Sequence, residues 1–146
     1  LLAAGGGAAW YLKLVSFGPP SAPAAPPEPG SVEYLLPEHI VNLSDKAGYR
    51  YLKIRVALEF SDPAHRPGEL SGDALAAQEA QLSSDLGRFS SPMDDFMITT
   101  LTSKTAAELL TTDGKEKLRS QLLNGFKTRI PSPALRAVYF TEFVIQ

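Results

Sequence analysis

The sequence has 146 residues, no cysteine and only two histidines. Without cysteine, these residues can form no disulfide, thiolate metal site or cysteine nucleophile. His39 and His65 alone do not supply the ligand set that zinc usually takes, so both are interpreted as surface or packing residues. The formal net charge of −2 disfavours binding to the phosphate backbone of nucleic acids. Neither a metal nor a cofactor is predicted.

The sequence also lacks a catalytic motif. Asp94 and Asp95 could be a carboxylate pair for acid–base chemistry, but adjacent helix positions point about 100° apart. Negative charge early in a helix compensates the helix dipole, which explains both residues more simply. Gly114-Lys115 follows no glycine-rich run, so it is not a phosphate-binding loop. No serine stands in a nucleophile elbow. The sequence therefore predicts a protein that is not an enzyme.

Residues 1–17 (LLAAGGGAAWYLKLVSF) are almost entirely apolar. The segment is shorter than the roughly 20 residues that cross a bilayer, and it ends in aromatic and lysine residues typical of a membrane–water interface. It is interpreted as the C-terminal part of a transmembrane helix that begins upstream. The remnant of a cleaved secretory signal and a soluble segment are the alternatives. The residues assigned to the anchor are Leu1, Leu2, Trp10, Tyr11 and Lys13.

Residues 18–31 (GPPSAPAAPPEPGS) contain six of the twelve prolines. Proline lacks a backbone donor and fixes φ, so the stretch favours polyproline II rather than a helix or a strand. We interpret it as a semi-rigid linker. A ligand for domains with aromatic grooves is the alternative.

The folded domain is predicted over residues 32–146, and two segments define its sheet. Residues 50–60 alternate apolar and polar side chains, which predicts a strand with one face in the core and the other in water. Residues 137–146 (AVYFTEFVIQ) are β-branched and aromatic on both faces, which predicts a central strand that pairs with residues 50–60. The side chains expected to face the core in the first segment are Leu52, Ile54, Val56, Leu58 and Phe60.

The rest of the domain is predicted to be mostly helical. Residues 38–43 form a short strand in a hairpin with residues 49–60, because Asp45-Lys-Ala-Gly48 is a turn signal. Apolar stripes at helical spacing predict helices over residues 73–89, 92–104 and 114–130. Two capping-box spacings, Thr105-x-x-Glu108 and Asp113-x-x-Glu116, predict a separate helical turn over residues 105–111. The predicted order is β-β-α-α-α-β, an α+β domain with a small sheet packed by helices.

Between Lys115 and Arg136 the sequence has six basic residues and only Glu116 opposing them. Arg119 falls within the apolar arc of its predicted helix, so it needs a partner. That partner is either an internal acid such as Glu108 or an acid of another subunit. The residues of the candidate interface are Lys115, Arg119, Lys127 and Arg129.

Three stretches carry a family resemblance: residues 36–43 (LPEHIVNL), 101–119 (LTSKTAAELLTTDGKEKLR) and 137–146 (AVYFTEFVIQ). Together with the glycine-rich apolar segment and the linker, they resemble the FliL family of flagellar basal-body proteins. The chain departs from that family in the loop Ser61–Gly72, which is longer than expected.

The resemblance implies a non-enzymatic accessory of the bacterial flagellar motor that supports motility. It implies a single-pass protein of the inner membrane, in contact with lipid, with its C-terminal domain in the periplasm at the basal body. That domain is expected to be stomatin- or SPFH-like and to self-associate into a ring. The implied partner is a stator complex of the MotA/MotB type. A generic membrane-anchored module that binds envelope proteins is the alternative.

Overall fold

The computed structural model of this protein describes residues 29–132 and 134–146. These residues form a four-stranded antiparallel sheet with helices packed against one face. In chain order the elements are β1 (Gly30–Leu35), β2 (His39–Asn42), β3 (Tyr51–Asp62), α1 (Gly72–Gly87), α2 (Ser90–Thr102), α3 (Ala106–Leu109), α4 (Thr112–Arg129) and β4 (Leu135–Ile145). The predicted α+β class is confirmed.

The sheet is built around β3. The first half of β3 pairs with β2 and the second half with β1 on the same edge, while β4 pairs along the opposite edge. The predicted β2–β3 hairpin is therefore confirmed. The five side chains expected in the core are each at most 3% exposed: Leu52, Ile54, Val56, Leu58 and Phe60. On the other face Tyr51 is accessible, but Ala57 is buried in the cross-strand row between Leu35 and Tyr139.

The helices cover the β3 core through the apolar stripes that the sequence predicts. The fully buried members of the two long stripes are Met93, Met97 and Leu101 of α2 and Leu118, Leu122 and Phe126 of α4. The rings of Phe96 and Phe126 meet edge to face, with centroids 5.4 Å apart. A Cβ on Gly125 would lie 1.9 Å from the Phe96 ring, so this glycine lets α2 and α4 approach closely.

One of the two predicted capping boxes is present. Thr105 accepts from the backbone N–H of Glu108, whose carboxylate in turn accepts from the backbone N–H of Thr105 at 2.8 Å. The box predicted at Asp113 is wrong, because α4 begins earlier. Its N-cap is Thr111, whose hydroxyl accepts from the N–H of Gly114 at 3.0 Å. The separate helical turn predicted here is confirmed as α3.

The predicted order of elements is incomplete at its start, because β1 precedes the strand that was expected to come first. It begins at Gly30, within the range assigned to the linker, and pairs Val32 with Phe60. The sequence shows no clear alternation here, because only Val32 is a buried apolar side chain of this strand. The stretch also follows a run of prolines. With α3 counted, the observed order is β-β-β-α-α-α-α-β.

The prediction that the last strand is central is wrong. Among the described residues, β4 pairs with β3 alone and forms an edge of the sheet. Its two-sided apolar pattern has another cause, a β-bulge. Glu142 pairs with Arg55 and Phe140 with Val56, so Thr141 is an extra residue that reverses the alternation. Phe140 and Phe143 therefore both face the helices, while Tyr139 and Val144 face outwards.

The anchor residues Leu1, Leu2, Trp10, Tyr11 and Lys13 lie outside the described residues. Within the described ranges, no helix is long and apolar enough to cross a membrane.

Candidate protein interface

The most distinctive surface of the domain is formed where α4 packs against β4. Here two cations of α4 stand over two aromatic rings of β4. The Nζ of Lys115 is 5.3 Å from the ring centroid of Phe143, and the guanidinium carbon of Arg119 is 5.1 Å from that of Phe140. The two rings lie 5.3 Å apart, at 49° to one another. We call these four side chains the α4–β4 edge.

The helix geometry explains why these two cations act together. Lys115 and Arg119 are four residues apart, so they lie one turn apart on the same face of α4. The bulge at Thr141 brings Phe140 and Phe143 onto the side of β4 that this face covers. Each cation–aromatic contact contributes about 0.5–1 kcal/mol at such a partly exposed site. The two cations therefore cover the rings only in part, and both rings stay partly exposed.

Arg119 has an internal acidic partner, but not the one suggested from the sequence. Its guanidinium bonds Glu116, one turn earlier on α4. The carboxylate of Glu108 is instead used by the capping box of α3, where its bonds to Thr105 hold its pKa below the usual value. The Nε of Arg119 is buried and has no hydrogen-bond partner in the described part of the chain. Its side chain nevertheless remains 35% exposed.

The other two predicted interface residues lie at the far end of α4. Arg129 stacks on Phe96 with its guanidinium carbon 4.0 Å from the ring centroid, and it donates to the carbonyl of Gly125 at 3.0 Å. Lys127 is exposed. At least eight residues separate this pair from Arg119, a distance of roughly 12 Å along the helix axis. Both also lie in the last turn, where positive charge favours the helix dipole.

The outer face of β4 continues the surface with a row of charges. Lys53 bonds Glu142 at 2.8 Å and Glu38 at 3.2 Å, and Arg55 bonds Glu38 at 3.2 Å. The hydrogen bond from Lys53 lowers the pKa of Glu142. Further along the strand, Tyr139 donates to Glu59, which raises the pKa of the phenol. Because these groups pair with one another across strands, the charges of the sheet are largely compensated. The cations of α4 are less compensated.

Sequence analysis did not predict the aromatic half of this site. In a regular strand Phe140 and Phe143 would lie on opposite faces, and nothing local signals that Thr141 is a bulge. The available signal was the unusual density of aromatic residues near the end of the chain. Their cationic partners are more than 20 positions away in sequence, so only the packing of α4 on β4 brings the four side chains together.

The remaining candidates do not converge on a reactive centre. His39 is buried, with Nδ1 2.9 Å from the carbonyl of Pro37 and Nε2 3.3 Å from Asp94. Asp95 is exposed and does not join this pair. His65 bonds Asp62 at 2.7 Å. In the ranges that the structure describes, no group of three or more His, Asp or Glu side chains could hold a metal ion.

Two comparisons with known proteins identify similar sequences. A family model described as "Flagellar basal body-associated protein FliL" matches residues 34–146. A curated relative named "Flagellar protein FliL", from Aquifex aeolicus (strain VF5), is 34% identical over 122 residues. The match covers 84% of this chain and 65% of that relative, so the chain spans slightly less than two thirds of its length. The family match includes the whole α4–β4 edge.

Proposed function

Because the chain belongs to the FliL family of flagellar basal body-associated proteins, we propose that it is a non-enzymatic accessory of the flagellar motor that contacts stator units. The observation that carries this proposal is the α4–β4 edge within the family match. Partly exposed aromatic rings beside an arginine are typical of protein contacts. The output of the domain is therefore contact with other proteins, of which a stator of the MotA/MotB type is the first candidate.

The proposed topology is a single-pass protein of the inner membrane with its domain in the periplasm. Residues 1–17 form the last part of the anchor and touch lipid, and residues 18–31 lead to the domain. A reporter that is active only in the periplasm, fused after a spacer at Gln146, should give signal. Signal only from a cytoplasmic reporter would contradict this topology.

We also propose that the domain has a stomatin-like arrangement and self-associates into a ring around the stator. Tethering to one membrane raises the effective concentration of neighbouring domains, so weak contacts between copies become sufficient. The basic residues Lys115, Arg119, Lys127 and Arg129 mark the side of the domain proposed as the seam.

The test is purification of the tagged full-length protein from membranes, with motility of the same cells measured under increasing load. Stator subunits should co-purify, and loss of the protein should reduce swimming most at high load. A tagged chain that retains residues 1–29 but lacks the domain serves as the matched control. Motility unaffected at every load, with no stator in the purified material, would rule out the motor role. Capture of other envelope proteins instead would favour a generic membrane-anchored binding module.

A further inference from the structure

Two helices of the domain carry opposite charge. α1 contains three acids, Asp73, Glu79 and Asp85, and no basic residue, for a net −3. α4 contains five basic residues and two acids, Asp113 and Glu116, for a net +3. The two net charges are equal in magnitude, although the chain as a whole is nearly neutral. Negative and positive charge are therefore concentrated on different helices.

These helices lie at opposite edges of the sheet. α1 packs against β1, whereas α4 packs against β4, and β1 and β4 flank β3 on its two sides. A domain with an acidic edge and a basic edge cannot pair favourably by joining two identical edges, since like charges would meet. It can pair by joining unlike edges, which is the geometry of a head-to-tail contact.

α1 is also only lightly packed on its own domain. Leu86 is its one buried residue among sixteen, and Leu82 is partly buried. The side of α1 turned away from the domain is rich in small exposed side chains: Ala76, Ala77, Ala80, Ser83 and Ser84. Small side chains let another element approach closely and lose little entropy when they are buried. The side chains of the α4–β4 edge are large by comparison, since they are aromatic rings and long cations.

The edge strand itself is poorly suited to pairing with another strand. β4 has two irregularities, at Thr141 and at Arg136, each an extra residue opposite β3. Bulges and charged residues on an edge strand twist its free backbone groups out of register and discourage strand addition. A helix that packs on side chains fits this edge better than a strand that needs its backbone.

We propose that α1 of one copy docks on the α4–β4 edge of the next copy, so that its acids face Lys115 and Arg119. The inference rests on the proposed self-association and names its two surfaces. The small face of α1 lies against Phe140 and Phe143 of the neighbour. Because the two surfaces differ, the contact repeats in one direction and closes into a ring when its rotation permits.

These 146 residues contain no cysteine, so thiols introduced among them report the contact directly. Ala80→Cys places a thiol on the exposed face of α1, and Glu116→Cys places one beside Arg119 on α4. In the full-length protein in its membrane, a short thiol-to-thiol cross-linker should convert the double variant into a ladder of multimers. Each single variant should stay monomeric, because a head-to-tail contact does not bring identical positions together.

The matched control pairs Ala80→Cys with Ile98→Cys, an exposed position on α2 away from the edge. An equal ladder from the control, or no ladder from the test pair, would overturn the proposal. Dimers from either single variant would overturn it as well, because they indicate a symmetric contact.

Charge reversal provides a second measurement in the same cysteine background. The charge of α1 is reversed with Glu79→Lys and Asp85→Lys, and that of α4 with Lys115→Glu and Arg119→Glu. Each reversal should lower ladder formation about tenfold or more, since like charges then meet. Combining both reversals in one chain should restore the ladder, which a mere folding defect would not do. No recovery in the combined variant, with all variants folded by circular dichroism, would contradict the charge pairing.

Co-purification of the stator separates this inference from the proposed function. A missing ladder with the stator still bound removes the α1 contact and leaves the motor role. A ladder without bound stator supports the contact and removes the stator role.

Discussion

β3 and β4 are neighbouring strands of similar length and similarly apolar sequence, yet the structure uses them differently. β3 is paired on both edges, and its inward apolar side chains are at most 3% exposed. β4 is paired on one edge, contains two bulges, and leaves Phe140 and Phe143 partly exposed beneath cations. Apolar sequence in β3 therefore mainly stabilises the fold, whereas in β4 part of it remains available for contact with another molecule.

The largest expected effect is in β3. Ile54→Ala should lower the free energy of unfolding by about 2–5 kcal/mol, because it leaves a cavity in a fully buried site. Phe140→Ala should cost less than Ile54→Ala, since its ring is only partly buried. Denaturant unfolding followed by circular dichroism measures both.

Tyr51→Ala on the opposite face of β3 is the matched control. Its side chain is 46% exposed, so the loss should be clearly smaller than for Ile54. Equal losses at positions 51 and 54 would remove the distinction between a buried and an accessible face.

The bulge should matter less than either core site. Deleting Thr141 should make the alternation regular and leave Phe143 and Ile145 facing the helices, because their partners on β3 face inwards. The free energy of unfolding should therefore change by no more than about 1 kcal/mol. Thr141→Ala keeps the extra residue and should be nearly neutral, because the exposed hydroxyl makes only a long bond, 3.3 Å, to the carbonyl of Arg55. If the deletion costs as much as Ile54→Ala, the bulge itself is required for the packing of β4 on the helices.

The difference between the strands also explains what the sequence could predict. The alternation of Leu52 to Phe60 is a local pattern whose period equals that of a strand, so the inward face of β3 follows from it directly. The helical stripes of α2 and α4 are local in the same sense, as is the Thr105 capping box.

The rest depends on pairing between distant segments. β1 is a strand because Gly30–Leu35 meets the second half of β3, although its own pattern is weak. The bulge in β4 is defined only by its register against Arg55 and Val56. Sequence reasoning placed Lys115 and Arg119 on one basic helix, but it could not place the rings of β4 beneath them. It also offered Glu108 as one possible partner of Arg119, although the capping of α3 already uses this acid.

A pH titration compares carboxylates on the two strands. Asp62, at the end of β3, is 8% exposed, and the hydrogen bond from Gln78 at 2.7 Å, supported by His65, lowers its pKa. A lowered pKa in the folded state stabilises the protein above the unfolded value of about 4. That stability is lost as the pH falls from about 4 through the folded pKa. Asp62→Asn should therefore be less stable at neutral pH and flatter in its acid dependence.

Glu142 on β4 is the control for this titration. Its pKa is also lowered, chiefly by Lys53, but the pair is solvent-accessible and screened by salt. Glu142→Gln should change the acid dependence only slightly, and less still at high salt. An acid dependence of Asp62→Asn identical to that of the original chain would show that Asp62 is not a source of that stability.

Only a modest effect on stability is expected at Arg119, where the effect on assembly should be largest. Arg119→Glu removes an exposed ion pair with Glu116 and a contact with the Phe140 ring, each of which contributes at most about 1 kcal/mol. The melting temperature should therefore fall by at most about 8 °C. If the α4–β4 edge is a contact surface, the same substitution should sharply reduce multimers and motility, because the charge offered to the neighbour is reversed. Arg119→Lys keeps the charge and should retain most of both. A melting temperature low enough to explain the whole loss of motility would instead make Arg119 a residue of the fold, and β4 would then resemble β3 in role.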